Sequence, residues 1–149
     1  MGNWWRRRGR GGMSAGDMAS AMRDRAGSFV AAQAAAGRSF TWEPAEVSRL
    51  DGVIEAFVRA EPDSAAEHDM VMSMGSYLGE LLVAQAGGRW SYDQESSAAT
   101  VLLPNGLVAY PHNKVAKRLH HGGDHSLFSY FWYATTRQLL PGSASRDCA

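Results

Sequence analysis

A pair of glycines, Gly87-Gly88, divides this chain into two hydrophobic periods. Before it, large apolar residues recur every three or four positions. Val47, Leu50, Ile54, Phe57 and Val58 make one such stripe, and Met70, Met74, Tyr77, Leu78, Leu81 and Leu82 make another. After it, Trp90 and Tyr92 alternate with polar residues, as in a half-buried strand. Two short apolar runs, Thr100–Leu103 and Leu107–Tyr110, then flank Pro104-Asn105-Gly106. Asn-Gly readily supplies the two positive φ angles of a type I′ turn, so the segment predicts a hairpin. The expected fold is therefore α+β: about three helices, a small three-stranded antiparallel sheet, a short helix, and a C-terminal helix packed on the sheet.

Local signals bound these elements. Met13–Ala36 is rich in alanine and carries Met18, Met22, Phe29 and Val30, so it reads as a helix closed by Gly37. Pro44 suits a first helical position, and Pro62 closes the helix it opens. Ser64-Ala65-Ala66-Glu67 is a capping-box pattern for the next helix. Gly75 and Gly79, one turn apart within that helix, weaken it, which implies that another element packs closely there. Asn113 is the expected cap of a short helix carrying Val115 and Leu119. Asp124 is the expected cap of a last helix, Ser126–Leu140. That helix holds Phe128, Tyr130, Phe131, Trp132 and Tyr133, a spread wider than one buried stripe, so it should meet two neighbours. Residues 13–140 form one domain between a flexible arm, 1–12, and a tail, 141–149, with no internal repeat.

Charge is neutral overall, with 15 Lys and Arg against 15 Asp and Glu, but it is segregated. Arg6, Arg7, Arg8 and Arg10 lie in the arm without an acid, while 11 acids stand between Glu43 and Glu95 against Arg49, Arg59 and Arg89. No apolar run approaches the ~20 residues that span a bilayer, and no apolar stretch follows the arginines as in a secretory signal. The single cysteine, Cys148, cannot form an internal disulfide, which suits a reducing compartment. A cytoplasmic protein is expected, and its arginine-rich, lysine-poor usage fits a GC-rich bacterial source.

Four clusters carry candidate chemistry. His120, His121, Asp124 and His125 put four potential metal ligands within six residues, although adjacent histidines point apart on a helix. The plain alternative is a helix end with histidines near its C-terminal dipole. Lys114, Lys117 and Arg118, at i, i+3 and i+4, share one helix face that would hold an acidic partner or a phosphate, or would pair with the acidic helices. Trp4 and Trp5 with Arg6, Arg7 and Arg8 combine stacking and cationic groups suited to nucleic acid or anionic membrane, or form a solubilising tail. Glu80, on the glycine-bearing helix, is the carboxylate nearest to a catalytic role; an exposed polar-face position is its plain alternative. No Gly-x-Ser-x-Gly and no phosphate-binding glycine loop is present, so neither a hydrolase elbow nor a nucleotide site is indicated, and no cofactor is expected.

The order Met74-Gly75-Ser76-Tyr77-Leu78-Gly79-Glu80, Gly87-Gly88-Arg89-Trp90, Leu103-Pro104-Asn105-Gly106 and Asn113-Lys114-Val115-Ala116-Lys117-Arg118 resembles a small actinobacterial family of Streptomyces type. It is classed as a domain of unknown function. The likeness covers about Trp42–Arg137 and implies a fold and a cytosolic bacterial setting; it brings no activity or catalytic residue. The leading expectation is a non-enzymatic interaction protein, such as an inhibitor, immunity-type or adaptor domain. It would meet another protein, or a second copy of itself, through Lys114, Lys117, Arg118, Phe128 and Trp132. One alternative is a metal-binding protein or hydrolase using His112, His120, His121 and His125. The other is a peripheral binder of anionic membrane or nucleic acid through the arm.

Overall fold

A computed structural model describes residues 14–137. The basic arm with Trp4, Trp5, Arg6, Arg7 and Arg8, the tail, and the last three residues expected in the final helix lie outside the described residues. The elements run α1 (Ala15–Ala35), a 3-10 turn (Pro44–Glu46) leading into α2 (Val47–Arg59), α3 (Ser64–Ala86), β1 (Arg89–Asp93), β2 (Ala98–Leu102), β3 (Val108–Ala109), α4 (Pro111–His121), a second 3-10 turn (Gly122–His125) and α5 (Leu127–Arg137). The architecture is α+β, and among the described residues no helix is long and apolar enough to cross a membrane.

Helix α3 forms the centre. From Val71 to Leu82 nearly every residue is buried, on all sides of the helix, because α1, α4, α5 and the sheet surround it. Met18, Met22, Ala26, Phe29 and Gln33 form the buried stripe of α1 against it. The two glycines expected to admit a neighbour do so. A Cβ on Gly79 would stand 2.1 Å from Trp90 Cη2, and one on Gly75 would stand 2.5 Å from His112 Cδ2. Only a side chain of hydrogen lets β1 and the start of α4 approach α3 this closely. The helix ends where Gly87 takes a φ of 71°, the left-handed conformation glycine adopts at no steric cost.

The sheet is antiparallel in the order β1-β2-β3, with Trp90 opposite Val101 and Leu102 opposite Val108. Its second reversal differs from the expected type I′ turn. Gly106 N–H donates to Leu103 O at 2.9 Å, and among these turn residues positive φ belongs to Gly106, at 86°, and not to Asn105. This is a three-residue loop: Pro104 fixes the first turn angle, and Gly106 supplies the single left-handed step.

Three caps also differ from expectation. Asp63, not Ser64, caps α3 by accepting from Ala66 N–H at 2.8 Å, since a carboxylate meets the helix dipole as well as the amide. Helix α4 starts at Pro111, two residues before Asn113, because proline is preorganised for a first helical position. Asp124 lies in the second 3-10 turn and does not cap α5. Ser126 Oγ accepts from Ser129 N–H at 3.2 Å instead, and Asp51 of α2 accepts from Leu127 and Phe128 N–H at 3.0 and 3.3 Å. Helix α5 lies chiefly against α2 and α3, while α1, α3 and α4 are the helices that meet the sheet.

Candidate functional site

Helix α4 splits the expected basic cluster in two. Arg118 points inward, with 5% of its side chain exposed. Its Nε donates to Asp51 Oδ1 at 2.8 Å, and its Nη2 to Glu55 Oε1 at 3.0 Å. Asp51 also accepts from Ser126 Oγ and from the first amides of α5, so one carboxylate ties α2, α4 and α5 together. Arg118 is thus engaged within the fold, in the pairing with an acidic helix that was the plain alternative for this cluster. The reason lies in its spacing: one residue beyond the stripe of Lys114 and Lys117, it turns toward acidic α2.

Lys114, Lys117 and His121, at i, i+3 and i+7, share the outward stripe of α4, and Lys114 stands against α5. Lys114 Nζ stands 5.5 Å from the centre of the Tyr130 ring, within cation–π range. Between the two helices opens a cavity of about 420 Å³, walled by Lys114, Asp124, Ser126, Ser129, Tyr130 and Tyr133. Ser126, Ser129, Tyr130 and Tyr133 are spaced i, i+3, i+4 and i+7, one face of α5. Tyr130 Oη accepts from Tyr110 N–H at 3.0 Å, pinning this face to the start of α4. The pKa of His125 is lowered, first by desolvation and then by Lys114, His121 and Lys117, against a smaller opposing effect of Asp124. Residues that reasoning from sequence treated as separate clusters thus share one electropositive corner.

The expected metal cluster does not assemble. Among the described residues no three His, Cys, Asp or Glu side chains gather closely enough to hold a metal ion. His120 turns toward Glu67, at 3.8 Å, while the His121 and His125 rings lie 5.7 Å apart and Asp124 faces the cavity. His112 is remote from all three, buried where α4 crosses α3.

At that crossing Ser76 Oγ and His112 Nε2 are 3.0 Å apart, a pairing the sequence reading missed. Ser76 Oγ also donates to Met72 O at 2.7 Å, so this hydroxyl ties His112 to the backbone of α3 one turn back. Both residues are buried, and burial drives the His112 pKa down to about 4. The pair is sealed from solvent within the core, so it lies where no substrate reaches the hydroxyl in this structure. Glu80 sits one turn further along α3. Burial raises its pKa, while Arg23, at 4.0 Å, and the Trp90 indole pull it down. The indole approaches without full hydrogen-bond geometry, since neither Trp90 Nε1 nor Glu80 Oε1 makes a hydrogen bond among the described residues. Glu80 is therefore no exposed surface acid; it belongs to the packing around Trp90.

The aromatic helix divides its five rings. Tyr130 and Phe131 are buried and Tyr133 is half-buried, whereas Phe128 is 47% and Trp132 63% exposed. Phe128 and Trp132, one turn apart, form an outward ridge next to the cavity wall. No signal in the sequence singles out Asp51 as the shared cap, because its partners lie 67 to 77 residues away. The i, i+3, i+4, i+7 hydroxyl face of α5 was readable once the helix was drawn. Compared with known proteins, the chain matches no family model, no curated protein and no solved structure.

Proposed function

We propose that this chain is a non-enzymatic interaction domain of the bacterial cytoplasm, which holds a protein partner on α5 through Phe128 and Trp132. Lys114 and Lys117 on the adjoining stripe of α4 favour a partner surface that sets acidic groups beside an apolar one. One observation carries the reading: two large aromatic side chains, a turn apart, stand 47% and 63% exposed on a helix whose opposite side is in the core. Wet side chains of this size each forgo roughly 1.5–3 kcal/mol of burial, and tryptophan is enriched among residues that dominate interfaces.

Tagged full-length protein, purified from its source cell beside the F128A/W132A variant, tests this. A partner recovered in stoichiometric amount with the parent and lost with the variant, at equal melting temperature, is the expected result. Sedimentation of the pure protein asks whether that partner is a second copy. A parent that is always monomeric and alone, or a partner retained undiminished by the variant, refutes the proposal.

A further inference from the structure

We propose, resting on the partner-binding role of α5 above, that its partner is a second copy of this chain, each copy placing Trp132 in a cavity of the other. The cavity measures about 250 Å³ and lies between the last turns of α2 and α4. Glu55, Val58 and Arg59 line it from α2, and Arg118, Leu119 and Gly122 from α4 and the turn beyond.

Size and lining suit an indole. Small-molecule pockets run from about 300 to 1,000 Å³, so this one fits a single large side chain better than a metabolite. Val58, 43% exposed, and Leu119 supply apolar surface. Arg59 and Arg118 supply guanidinium groups, which attract tryptophan more strongly than the other aromatic rings. Stacking takes the flat face of a guanidinium, so Arg118 can serve while its N–H groups hold Asp51 and Glu55. A buried tryptophan also needs an acceptor for its N–H. Glu55 is that acceptor: it stands 61% exposed, and a carboxylate that already accepts from Arg118 has lone pairs left. Phenylalanine or leucine in the same place would leave this capacity unused.

The same chain carries the matching side chain. Trp132 is 63% exposed, whereas Trp42, the other exposed tryptophan of the described residues, packs on the Tyr77 ring at 5.3 Å. Ridge and cavity are also near neighbours. Asp51 accepts from the Phe128 amide and from Arg118; Glu55 is one turn from Asp51 along α2, and Trp132 one turn from Phe128 along α5. A two-fold dimer needs such closeness, because each surface must give and receive at once. Charge agrees as well. The cavity sets Glu55 beside Val58 and Leu119, an acid next to an apolar surface, which is the partner that Lys114 and Lys117 favour.

Sedimentation of the full chain, with reductant to keep Cys148 from linking copies, is the test. The parent should dimerise with a Kd of about 100 µM or tighter. W132A removes both junctions and should weaken the dimer about 100-fold or more. V58E, at an exposed position, should do the same from the cavity side, while V58I should stay within about threefold. Melting temperature shows that each variant is folded; should V58E fail that check, R59E on the rim replaces it, with a smaller loss. Mixing W132A with V58E restores one of the two junctions, so the pair should associate about tenfold more tightly than either alone. A Kd weaker than ~100 µM, a folded variant that dimerises like the parent, no gain on mixing, or species growing beyond dimers each overturn the proposal. So does a dimer that survives W132A and disappears when residues 1–12 are removed, since Trp4 or Trp5 would then be the guest. A monomer that still captures another protein through Phe128 and Trp132 overturns self-association alone; a monomer that captures none removes the partner-binding role of α5 with it.

Discussion

Removing the Asp51 carboxylate should destabilise the protein far more than its partial exposure suggests. The side chain is 21% exposed, yet it accepts from Arg118 Nε at 2.8 Å, from Leu127 and Phe128 N–H at 3.0 and 3.3 Å, and from Ser126 Oγ at 3.2 Å. D51A leaves the Arg118 guanidinium, 5% exposed, with Glu55 as its remaining carboxylate. Breaking a buried ion pair by deleting one partner costs about 3–5 kcal/mol, and losing a helix cap about 1 kcal/mol. Glu55 is 61% exposed and still reaches Arg118, which moderates the first figure. The sum is about 3–4 kcal/mol. For a chain of this length that corresponds to a fall in melting temperature of about 10 °C.

Thermal and urea unfolding followed by far-ultraviolet circular dichroism measure this directly. R118M should cost less than D51A, because Asp51 keeps its bonds to α5 and a methionine can fill the space. The double variant should cost less than the two singles together, since removing both charges leaves neither stranded. A D51A cost below about 1 kcal/mol, the value of an exposed surface pair, would refute the reasoning and return Arg118 to the surface role the sequence suggested.

Other substitutions test other joints of the fold. G79A places a methyl group 2.1 Å from the Trp90 ring, so it should destabilise by about 2 kcal/mol or more and shift tryptophan emission. G52A, on α2 with nothing within 4 Å, should instead stabilise by about 0.5–1 kcal/mol; equal effects at the two sites would discredit the close contact. D63A should cost about 1 kcal/mol and S64A almost nothing, read from urea midpoints; the reverse order would restore Ser64 as the cap of α3. His112, with a folded pKa of about 4 against an ordinary 6.5, stays neutral while the unfolded chain takes up its proton. Stability should therefore fall as pH drops from about 6.5 to 4, by about 3 kcal/mol from this group, and H112Q should flatten that limb. Glu80 acts in the opposite sense. Its raised pKa means that stability is fully present below pH 4.5 and is lost as pH rises through the folded value, so E80Q should remove that opposing slope.

Much of the scaffold was legible because it rests on local chemistry. The stripes of α2 and α3, the reversal at Pro104-Asn105-Gly106 and the stop at Gly87 follow from side-chain spacing and backbone sterics. Gly75 and Gly79 went further: two helix-weakening residues a turn apart announced a close neighbour without revealing which. What stayed hidden depends on partners distant in sequence. Asp51 reads as one more acid on an amphipathic helix until α4 and α5 come to it. Turn type and cap identity were misjudged because adjacent residues, such as Asp63 and Ser64, compete for one role, and small differences in charge and tertiary fit decide between them.

The core and the electropositive corner are coupled through the direction of α4. Gly75 and Gly79 let His112 and Pro111 sit close against α3, which fixes where α4 begins. Arg118, drawn to Asp51 and Glu55, fixes its rotation at the other end. With both ends set, Lys114 is directed toward the tyrosine and serine face of α5, which Asp51 holds by its first amides. The inward arginine thus decides where the outward Lys114 points. A variant that frees Arg118 should then disturb the cavity as well as the stability: in D51A, below its melting temperature, His125 should lose part of the pKa depression contributed by Lys114 and Lys117. An unchanged His125 titration in folded D51A would separate the two and leave the cavity standing on α5 alone.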